Sequence, residues 1–217
     1  NLFQSHGYPL EMTKEIITEK NIKSSNNFLN EYQMAMTKHQ ELSKTASAGK
    51  FKGGLADQSE ETTKLHTTAH LLLEALRRVL GPHVEQRGSN ITAERLRFDF
   101  SHGEKMTDEQ KKQVEDLVND AILQKYQVRY EEMTLDEAKK IGANGVFESK
   151  YGEKVKVYFV GDFSSPVPVL FSKEICGGPH VENLSNLGTF KIQKEESSSS
   201  GVRRIKAILV PLDNNSK

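Results

Sequence analysis

Two pairs of side chains in this sequence have the residue types and the spacing of metal ligands. His66 and His70 are four residues apart in an apolar stretch, so on a helix both imidazoles project from the same face. Cys176 and His180 enclose two glycines and a proline, and such a turn can fold a thiolate and an imidazole around one ion. Three nitrogens and one sulfur form a ligand set that suits Zn²⁺. The sequence therefore indicates a zinc site, provided that the two pairs meet in the fold.

Each pair alone also has an ordinary structural interpretation. An isolated His-x-x-x-His pair is a weak signal in a chain with seven histidines, and Cys176 can equally be a buried cysteine beside a surface histidine. Thr67 stands where the metalloprotease motif His-Glu-x-x-His has its catalytic glutamate. The pair is therefore not a zinc-protease motif.

The composition excludes several classes of protein. No apolar run approaches the about 20 residues that a membrane-spanning helix requires, so we expect no membrane partner. The first residues contain neither a methionine nor a signal-peptide pattern, and we expect a fragment or a processed form. The single cysteine excludes an internal disulfide framework and favours a reducing, cytoplasmic location. Basic and acidic residues both number 30, so any RNA-binding surface has to be local.

A glycine-rich linker divides the chain, and we place the boundary near residue 57. Residues 1–57 are predicted to be a helical segment and linker, with a short helical pattern over 10–17 and a longer amphipathic helix over 28–47. Residues 58–217 are predicted to form the second domain. Its helices and strands are in the proportions of an α+β fold, with helices packed on a mostly antiparallel sheet.

The pattern of apolar residues predicts the elements of this second domain. Helices are predicted over 59–80, from the cap at Thr107 to the buried Leu123, and over 134–141. Strands are predicted over 83–100 (interrupted by a turn at 88–90 or in the polar run to residue 95), 128–133, 155–160, 187–194 and 202–210. Two segments are predicted as loops: 161–183, which encloses Cys176, and 195–201, which contains four serines.

Further blocks of the sequence resemble a known family. Together with the two ligand pairs, residues 83–89, 96–102, 161–163 and 201–205 resemble, in the same order, the editing domain of alanyl-tRNA synthetase. Threonyl-tRNA synthetases and free-standing alanyl-tRNA editing proteins share that domain. Upstream, residues 2–13 and 51–57 resemble the end of the tRNA-recognition region and its linker. The resemblance implies a fragment that joins the end of the tRNA-recognition region, 1–57, to a zinc-containing editing domain, 58–217.

The sequence departs from the family pattern in several places. The β-barrel insert with its Gly-Gly-Gln stretch is absent, so no contribution of that barrel to acceptor-end binding is implied. Pro179 stands where the family usually has a threonine, Lys206 stands where an acidic residue is common, and residues 164–170 look inserted. No aminoacylation core is present within the 217 residues, so we expect no amino-acid activation by this chain alone.

The resemblance implies hydrolytic editing. The bond cleaved is the ester that joins a wrong amino acid to the terminal adenosine of tRNA(Ala), with Ser-tRNA(Ala) and Gly-tRNA(Ala) as substrates. A pocket for alanine cannot strongly exclude the smaller glycine, nor serine, which adds only a hydroxyl, so a second site has to remove them. By its position in the family block, Gln86 is the candidate that recognises the serine hydroxyl, with Thr67 or Thr68 second. Their ordinary interpretations are a surface glutamine on a strand and helix threonines bonded to carbonyls.

The resemblance also implies roles for individual residues. The zinc ligands are His66, His70, Cys176 and His180, of which His70 and Cys176 are also catalytic candidates. We expect a water at or beside the zinc to attack the ester carbonyl. Four protein ligands are also typical of a structural zinc, so that role stays open. Apart from the resemblance, arginines are candidates for phosphate contacts, with Arg77, Arg97 and Arg203 chosen from a set that also contains Arg78 and Arg204. The ordinary interpretation of Arg77 and Arg78 is a solvated helix face.

Two alternatives remain at this point. One is editing of Ser-tRNA(Thr), because threonyl-tRNA synthetases share the four ligands, although the alanyl-type upstream segment argues against it. The other is a non-catalytic zinc module that binds or positions tRNA. The expected partners are the acceptor end of tRNA(Ala) and the remainder of the parent synthetase.

Overall fold

The computed structural model describes residues 55–145 and 153–211, together with positions 19–20, 27, 30–31, 33–34 and 37. The chain separates into two compact units, residues 1–49 and 50–217. In the first unit, positions 30, 31, 33, 34 and 37 are helical and fall within the helix predicted over 28–47. The rest of that prediction, and the helical pattern over 10–17, lie outside the described residues. The division near residue 57 stays a prediction.

The second unit begins with the helix that carries the two histidines. Helix α1, Glu60–Leu80, starts where the Ser59 hydroxyl accepts a hydrogen bond from the amide of Thr62, and it ends where the amide of Gly81 donates to Arg77. Gly81 has a φ of 119°, a backbone conformation that glycine adopts without strain. Both ends lie where the sequence predicts them. None of the helices in the described part of the chain is long and apolar enough to cross a membrane.

The first sheet packs on this helix. It contains β1 (Gln86–Ile91), β2 (Leu96–Ser101), β7 (Thr189–Ser199) and β8 (Val202–Val210), in the order β1-β2-β8-β7 with antiparallel neighbours. The alternate residues of β2 with apolar side chains are fully buried in one core with the leucines of α1; they are Leu96, Phe98 and Phe100. The residues between them project from the opposite face of the sheet.

Helix α2, Asp108–Leu123, lies beside α1 and β7. It begins with the predicted capping box, in which the Thr107 hydroxyl and the Gln110 side chain each accept a hydrogen bond from the other residue's amide. The Asn119 amide then bonds both main-chain groups of Phe190, at 2.8 and 3.0 Å, and ties α2 to β7. The prediction that Leu123 is buried is wrong: it is 73% exposed, because it occupies the last turn of the helix, past the packed face.

The second sheet contains β3 (Gln127–Thr134), β5 (Lys154–Asp162), β6 (Val169–Ile175) and β4 (Asn144–Gly145), in the order β3-β5-β6-β4. The pairing of β4 with β6 is parallel, and the other pairings are antiparallel. The short helix α3, Leu135–Lys140, covers one face, where Ala138 packs into a small core with Val155, Val157 and Ile175. A 3₁₀ turn, Leu184–Asn186, precedes β7.

The α+β class is confirmed, but three details of the prediction are wrong. The domain has two sheets where one was predicted. Residues 161–162 and 169–175 of the predicted loop 161–183 are strand, because β6 pairs with β5 along almost its whole length. The serine-rich segment 195–199 is also strand, since it is paired with β8. Residues 88–90 lie inside β1, so the turn follows at 92–95, the second of the two places predicted for it.

Candidate metal centre

Helix α1 presents His66 and His70 on a buried face. The helix is buried around most of its circumference from Leu65 to Leu76, and the two imidazoles are only 4% and 8% exposed. Because the residues are four positions apart, their rings are neighbours, with centroids 5.2 Å apart. Contacts between α1 and β6 bring these rings to the end of the second sheet.

The second ligand pair follows directly on β6. Cys176 is the first residue after that strand, and its amide donates to the Lys156 carbonyl on β5 at 3.1 Å. The turn that follows is fixed at Gly178, whose carbonyl accepts a hydrogen bond from the Tyr158 hydroxyl at 3.2 Å. It is fixed again at Val181, whose amide donates to the Thr67 hydroxyl at 3.2 Å. These bonds attach the turn to both β5 and α1.

Gly178 passes so close to His66 that the position excludes a side chain. A Cβ atom there would lie 2.2 Å from the Cε1 of His66, far inside van der Waals contact. The neighbouring Gly177 has open space around it. Gly178 is therefore required by the approach of the turn to the imidazole ring.

The four predicted ligand side chains lie together. One ligand atom from each of His66, His70, Cys176 and His180 can be chosen so that all four lie within 4.8 Å of one another. Cys176 Sγ is 3.5 Å from His66 Nε2, and the His180 ring lies 4.4 Å and 4.8 Å from the rings of His66 and His70. The structure thus contains a possible metal site built from two segments whose nearer ends are 106 residues apart, His70 and Cys176.

The Nδ1 atom of each histidine faces a polar group outside the cluster. His66 Nδ1 lies 3.0 Å from the Pro179 carbonyl, and His180 Nδ1 lies 3.2 Å from the Thr67 hydroxyl. His70 Nδ1 is 3.8 Å from the carboxylate of Glu174, whose other oxygen accepts a bond from Asn144 at 3.2 Å. Histidines that bind metals typically have their second nitrogen oriented in this way.

The Nε2 atoms of two of these histidines are left for an ion. In the part of the chain that the structure describes, Nε2 of His70 and of His180 is buried and has no hydrogen-bond partner. Buried polar atoms without a partner are uncommon in native proteins. A thiolate and three imidazoles, two of which have such an orphaned nitrogen, fit a Zn²⁺ ion.

The charges in the cluster favour the ligand form of the cysteine. Burial raises the pKa of Cys176, but the neighbouring His70 cation and the hydrogen bond from His66 contribute to outweighing burial, so the net shift is downward. Burial lowers the pKa of His70, but the Cys176 thiolate and Glu174 outweigh it and raise the pKa. Burial is the main cause that lowers the pKa of His180. A thiolate is the form of cysteine that binds metal ions.

The candidates for serine recognition differ in their available hydrogen bonds. The Thr67 hydroxyl donates to the Thr63 carbonyl and faces two nitrogens, so its donor and acceptor capacity is used. Thr68 donates to the Lys64 carbonyl. Gln86, at the start of β1, donates from Nε2 to Ser89 at 3.2 Å, and among the described contacts its Oε1 accepts no hydrogen bond. The assignment of serine recognition to any of these side chains stays a prediction.

The arginines predicted to contact RNA are in three different environments. Arg77 lies on the same face of α1 as the two histidines and donates to the Val84 carbonyl at 2.8 Å. Arg97 projects from the face of the first sheet opposite α1, next to Arg204, which forms a two-bond ion pair with Asp99. Arg203 projects from the other face and pairs with Glu195. Their role in RNA binding stays a prediction.

Two residues of the site are absent from the sequence predictions. Glu174 is 1% exposed and supports His70, and Tyr158 places its ring 4.2 Å from that of His180. The signal for Glu174 was its position two residues before Cys176, which puts both side chains on one face of a strand. It was missed because the segment was predicted to be a loop.

Comparisons with known proteins match the family that the sequence blocks resemble. A model of the second additional domain of threonyl and alanyl tRNA synthetases matches residues 155–206, which contain Cys176 and His180. The chain is 55% identical over 208 residues to the alanine–tRNA ligase of Treponema denticola. It is 53% identical over 209 residues to that of Borreliella afzelii and 49% identical over 208 residues to that of Treponema pallidum. Each match covers 96% of this chain and 33% of the relative.

The matched domain is one that threonyl and alanyl tRNA synthetases carry. Over 96% of its length the chain matches a section of alanine–tRNA ligase, the family that its sequence blocks resemble. It spans about a third of the length of the curated relatives that it matches.

Proposed function

We propose that this chain is the editing section of an alanine–tRNA ligase and hydrolyses the aminoacyl ester of Ser-tRNA(Ala) and Gly-tRNA(Ala). The observation that supports this most is the cluster of His66, His70, Cys176 and His180 in a chain similar to alanine–tRNA ligases. A metal site of this kind is suited to ester hydrolysis, because a bound Zn²⁺ would act as a Lewis acid on an ester or water oxygen.

Side chains around the cluster hold the histidine rings in position for the proposed reaction. Thr67 and Glu174 orient the rings of His180 and His70, and the bond from His66 to Pro179 needs only a main-chain carbonyl. The replacement of the family's threonine by Pro179 therefore leaves this bond available. We assign His70 and Cys176 to catalysis because one is supported by a carboxylate and the other is the anionic donor. We place Thr67 in the same site as a positioning residue.

We assign recognition of the serine hydroxyl to Gln86. Its Oε1 has acceptor capacity, and alanine would leave that acceptor unpaired in a closed pocket, which disfavours the correct substrate. Glycine also lacks a hydroxyl, so Gln86 accounts for the recognition of serine and not for that of glycine.

We propose the acceptor end of tRNA(Ala) and the remainder of the parent synthetase as partners, and the cytoplasm as the location because the proposed substrate is a tRNA. Arg77, Arg97 and Arg203 are the proposed phosphate contacts. Arg77 has the strongest support, since it follows His70 by two turns on the same face of α1. Arg97 and Arg203 lie on opposite faces of the first sheet, so both cannot contact the same short segment of RNA.

A deacylation assay tests the proposal. Single-turnover hydrolysis of Ser-tRNA(Ala), Gly-tRNA(Ala) and Ser-tRNA(Thr) is measured with and without a chelator, alongside the zinc content. We expect hydrolysis of the first two substrates and its loss with chelator. Hydrolysis of Ser-tRNA(Thr) alone would instead assign the threonyl reaction, and tRNA binding without turnover would assign a binding module.

Two variants separate a catalytic zinc from a structural one. The four protein donors can complete a tetrahedron, which favours a structural ion as the second candidate role. In Cys176→Ala and His70→Ala, a loss of zinc with near-normal single-turnover rates would exclude the catalytic role. A loss of both together in a chain that still melts cooperatively supports it.

A further inference from the structure

A cleft separate from the metal cluster lies beside the C-terminal half of α1. Its volume is about 420 Å³, and its wall is formed by α1, by β6 and by the segment around β4. None of the four clustered ligand side chains lines it. Its polar wall includes Arg77, Arg78, Lys173, Ser172 and Asn144.

The cleft carries an excess of positive charge. Three cationic side chains line it, Arg77, Arg78 and Lys173, against the single carboxylate of Glu74. Arg78 pairs with Glu74 at 2.8 Å. Within the part of the chain that the structure describes, Arg77 and Lys173 form no ion pair; main-chain carbonyls accept their hydrogen bonds, from Arg77 at 2.8 Å and from Lys173 at 2.5 Å. Both charges are therefore available to an anion.

These cations are already held in place before any ligand arrives. Arg78 donates to the Phe171 carbonyl at 2.6 Å, and its guanidinium lies 4.4 Å from the centre of the Phe171 ring. Lys173 is attached to the Ile141 carbonyl and Arg77 to that of Val84. Binding of an anion therefore restricts these side chains little further, and the small entropic cost favours affinity.

Ser172 provides an independent sign that the cleft accepts a ligand. This residue is 3% exposed, and its hydroxyl has no hydrogen-bond partner in the described part of the chain. A buried hydroxyl without a partner at the wall of a cavity is a group that a ligand oxygen can satisfy. Guanidinium groups and a hydroxyl in the wall of one cleft are typical of phosphate recognition.

The cleft and the metal cluster are built on the same two elements. Arg77 follows His70 by seven residues on α1, about 10 Å along the helix. On β6, Ser172 precedes Cys176 by four residues, and between them Glu174 bonds Asn144 in the cleft wall and faces His70 in the cluster. A stacked strand of nucleic acid rises about 3.4 Å per nucleotide, so the about 10 Å between His70 and Arg77 along α1 corresponds to about three nucleotides.

We propose that this cleft binds a backbone phosphate of the single-stranded RNA end whose terminal ester reaches the metal cluster. The assignment rests on the proposed editing function and extends it, since it adds Lys173 and Ser172 to the RNA-binding residues and includes Arg78 with Arg77. The ligand class is a phosphodiester, and the phosphate bound lies about three nucleotides before the terminal adenosine.

The test is the salt dependence of RNA binding. Binding of the chain to a fluorescein-labelled RNA hairpin with a four-nucleotide 3′ overhang is measured between 50 and 200 mM salt, beside a blunt hairpin of the same stem. Each phosphate contact on a single strand contributes about 0.7 to the slope of log K against log salt. Because these cations share one phosphate, we expect Lys173→Gln to reduce the magnitude of the slope by part of that 0.7, and Arg77→Gln with Lys173→Gln to reduce it by up to about 0.7. The reduction is expected on the overhang hairpin alone.

Control variants keep the result specific. Lys173→Arg retains the charge and is expected to restore the wild-type slope. Lys191→Gln removes an exposed lysine from β7 in the other sheet and is expected to change nothing. Thermal melting of each variant confirms that it folds, and if Lys173→Gln unfolds, Arg77→Gln alone carries the test, with an expected decrease that is again part of the about 0.7 of one phosphate.

Several outcomes would overturn the assignment. An unchanged slope in the double variant excludes the contact, and an equal decrease on the blunt hairpin places the contact on the stem. Inorganic phosphate that binds the wild type and not Lys173→Gln, with no change in the RNA slope, makes the cleft a small-anion site. Normal deacylation with an unchanged slope removes this assignment alone, whereas the expected decrease in a chain without deacylation removes only the editing function.

Discussion

Substitution of the second glycine in the ligand turn gives a direct test of the metal centre. In Gly178→Ala the new Cβ would lie 2.2 Å from Cε1 of His66, whereas in Gly177→Ala nothing lies within 4 Å of it. Neither glycine has a positive φ, so the two substitutions differ in this contact and not in backbone strain. The pair therefore forms a matched experiment on adjacent residues.

The expected magnitude follows from the distances. Ordinary contacts of a Cβ begin at about 3.4 Å, so the turn and the ring have to separate by about 1 Å in Gly178→Ala. A metal site tolerates displacements of only about 0.5 Å in its ligands. Disturbing the support of a metal ligand typically costs 10- to 100-fold in affinity, or about 1.4 to 2.7 kcal/mol. We expect that loss in Gly178→Ala and less than about 0.5 kcal/mol in Gly177→Ala.

Competition with a chromophoric chelator measures the zinc affinity of the wild type and both variants. Circular dichroism of each metal-free chain shows whether the fold itself survives the substitution. Equal affinities for the wild type and Gly178→Ala would refute the reasoning, because the ring would then not depend on the close approach. An equal loss in both variants would refute it as well, since loop flexibility would be the cause.

Three further predictions follow from the described contacts. Gln86→Ala is expected to slow the hydrolysis of Ser-tRNA(Ala) by about 10-fold or more, because a lost hydrogen bond costs about 1–3 kcal/mol. It is expected to leave Gly-tRNA(Ala) hydrolysis unchanged, and equal losses on both substrates would argue against recognition of the hydroxyl. Asn119→Ala removes two bonds to Phe190 and is expected to lower the free energy of unfolding in urea by about 1–3 kcal/mol, whereas the exposed Lys112→Ala should change it by less than about 0.5 kcal/mol. Zinc at 1,000 times its Kd is expected to stabilise the metal-free chain by about 4 kcal/mol in the same assay, and no stabilisation in Cys176→Ala is the matched control.

The sequence predicted best those elements whose signals are local. The starts of α1 and α2 were predicted correctly because Ser59 and the Thr107–Gln110 capping box cap the first turn of each helix. Strand β2 was predicted from its own alternation. In these cases the chemistry that defines the element is contained in the element itself.

The errors fall where distant partners decide the structure. The residues of β6 are apolar enough for a strand, but the prolines and serines just before them gave the segment the composition of a loop. The serine-rich end of β7 has little strand propensity of its own and is extended because it pairs with β8. The division into two sheets likewise depends on pairings between distant segments, which periodicity does not report.

The candidate site was predicted in part. The residue types and spacings identified the four possible ligands, but their meeting was expected from a family resemblance and not from the spacing. The contribution of Glu174 depends on the pairing of β6, so it was not visible while the segment was predicted as a loop. Arg77 was named as a phosphate contact, whereas its cleft, with Lys173 and Ser172, required the packing of β6 against α1.

The distance in sequence between the two ligand pairs has a consequence for synthesis. His70 leaves the ribosome 106 residues before Cys176, which at about 5–20 residues per second is a delay of about 5–20 s. During that time the nascent chain offers only two of its four donors, and β6, whose end positions the third, has not been made. Tight metal uptake therefore becomes possible only when most of the domain has emerged. A metal-loaded chain thus marks a domain that has been translated past residue 180 and has brought its two ligand pairs together.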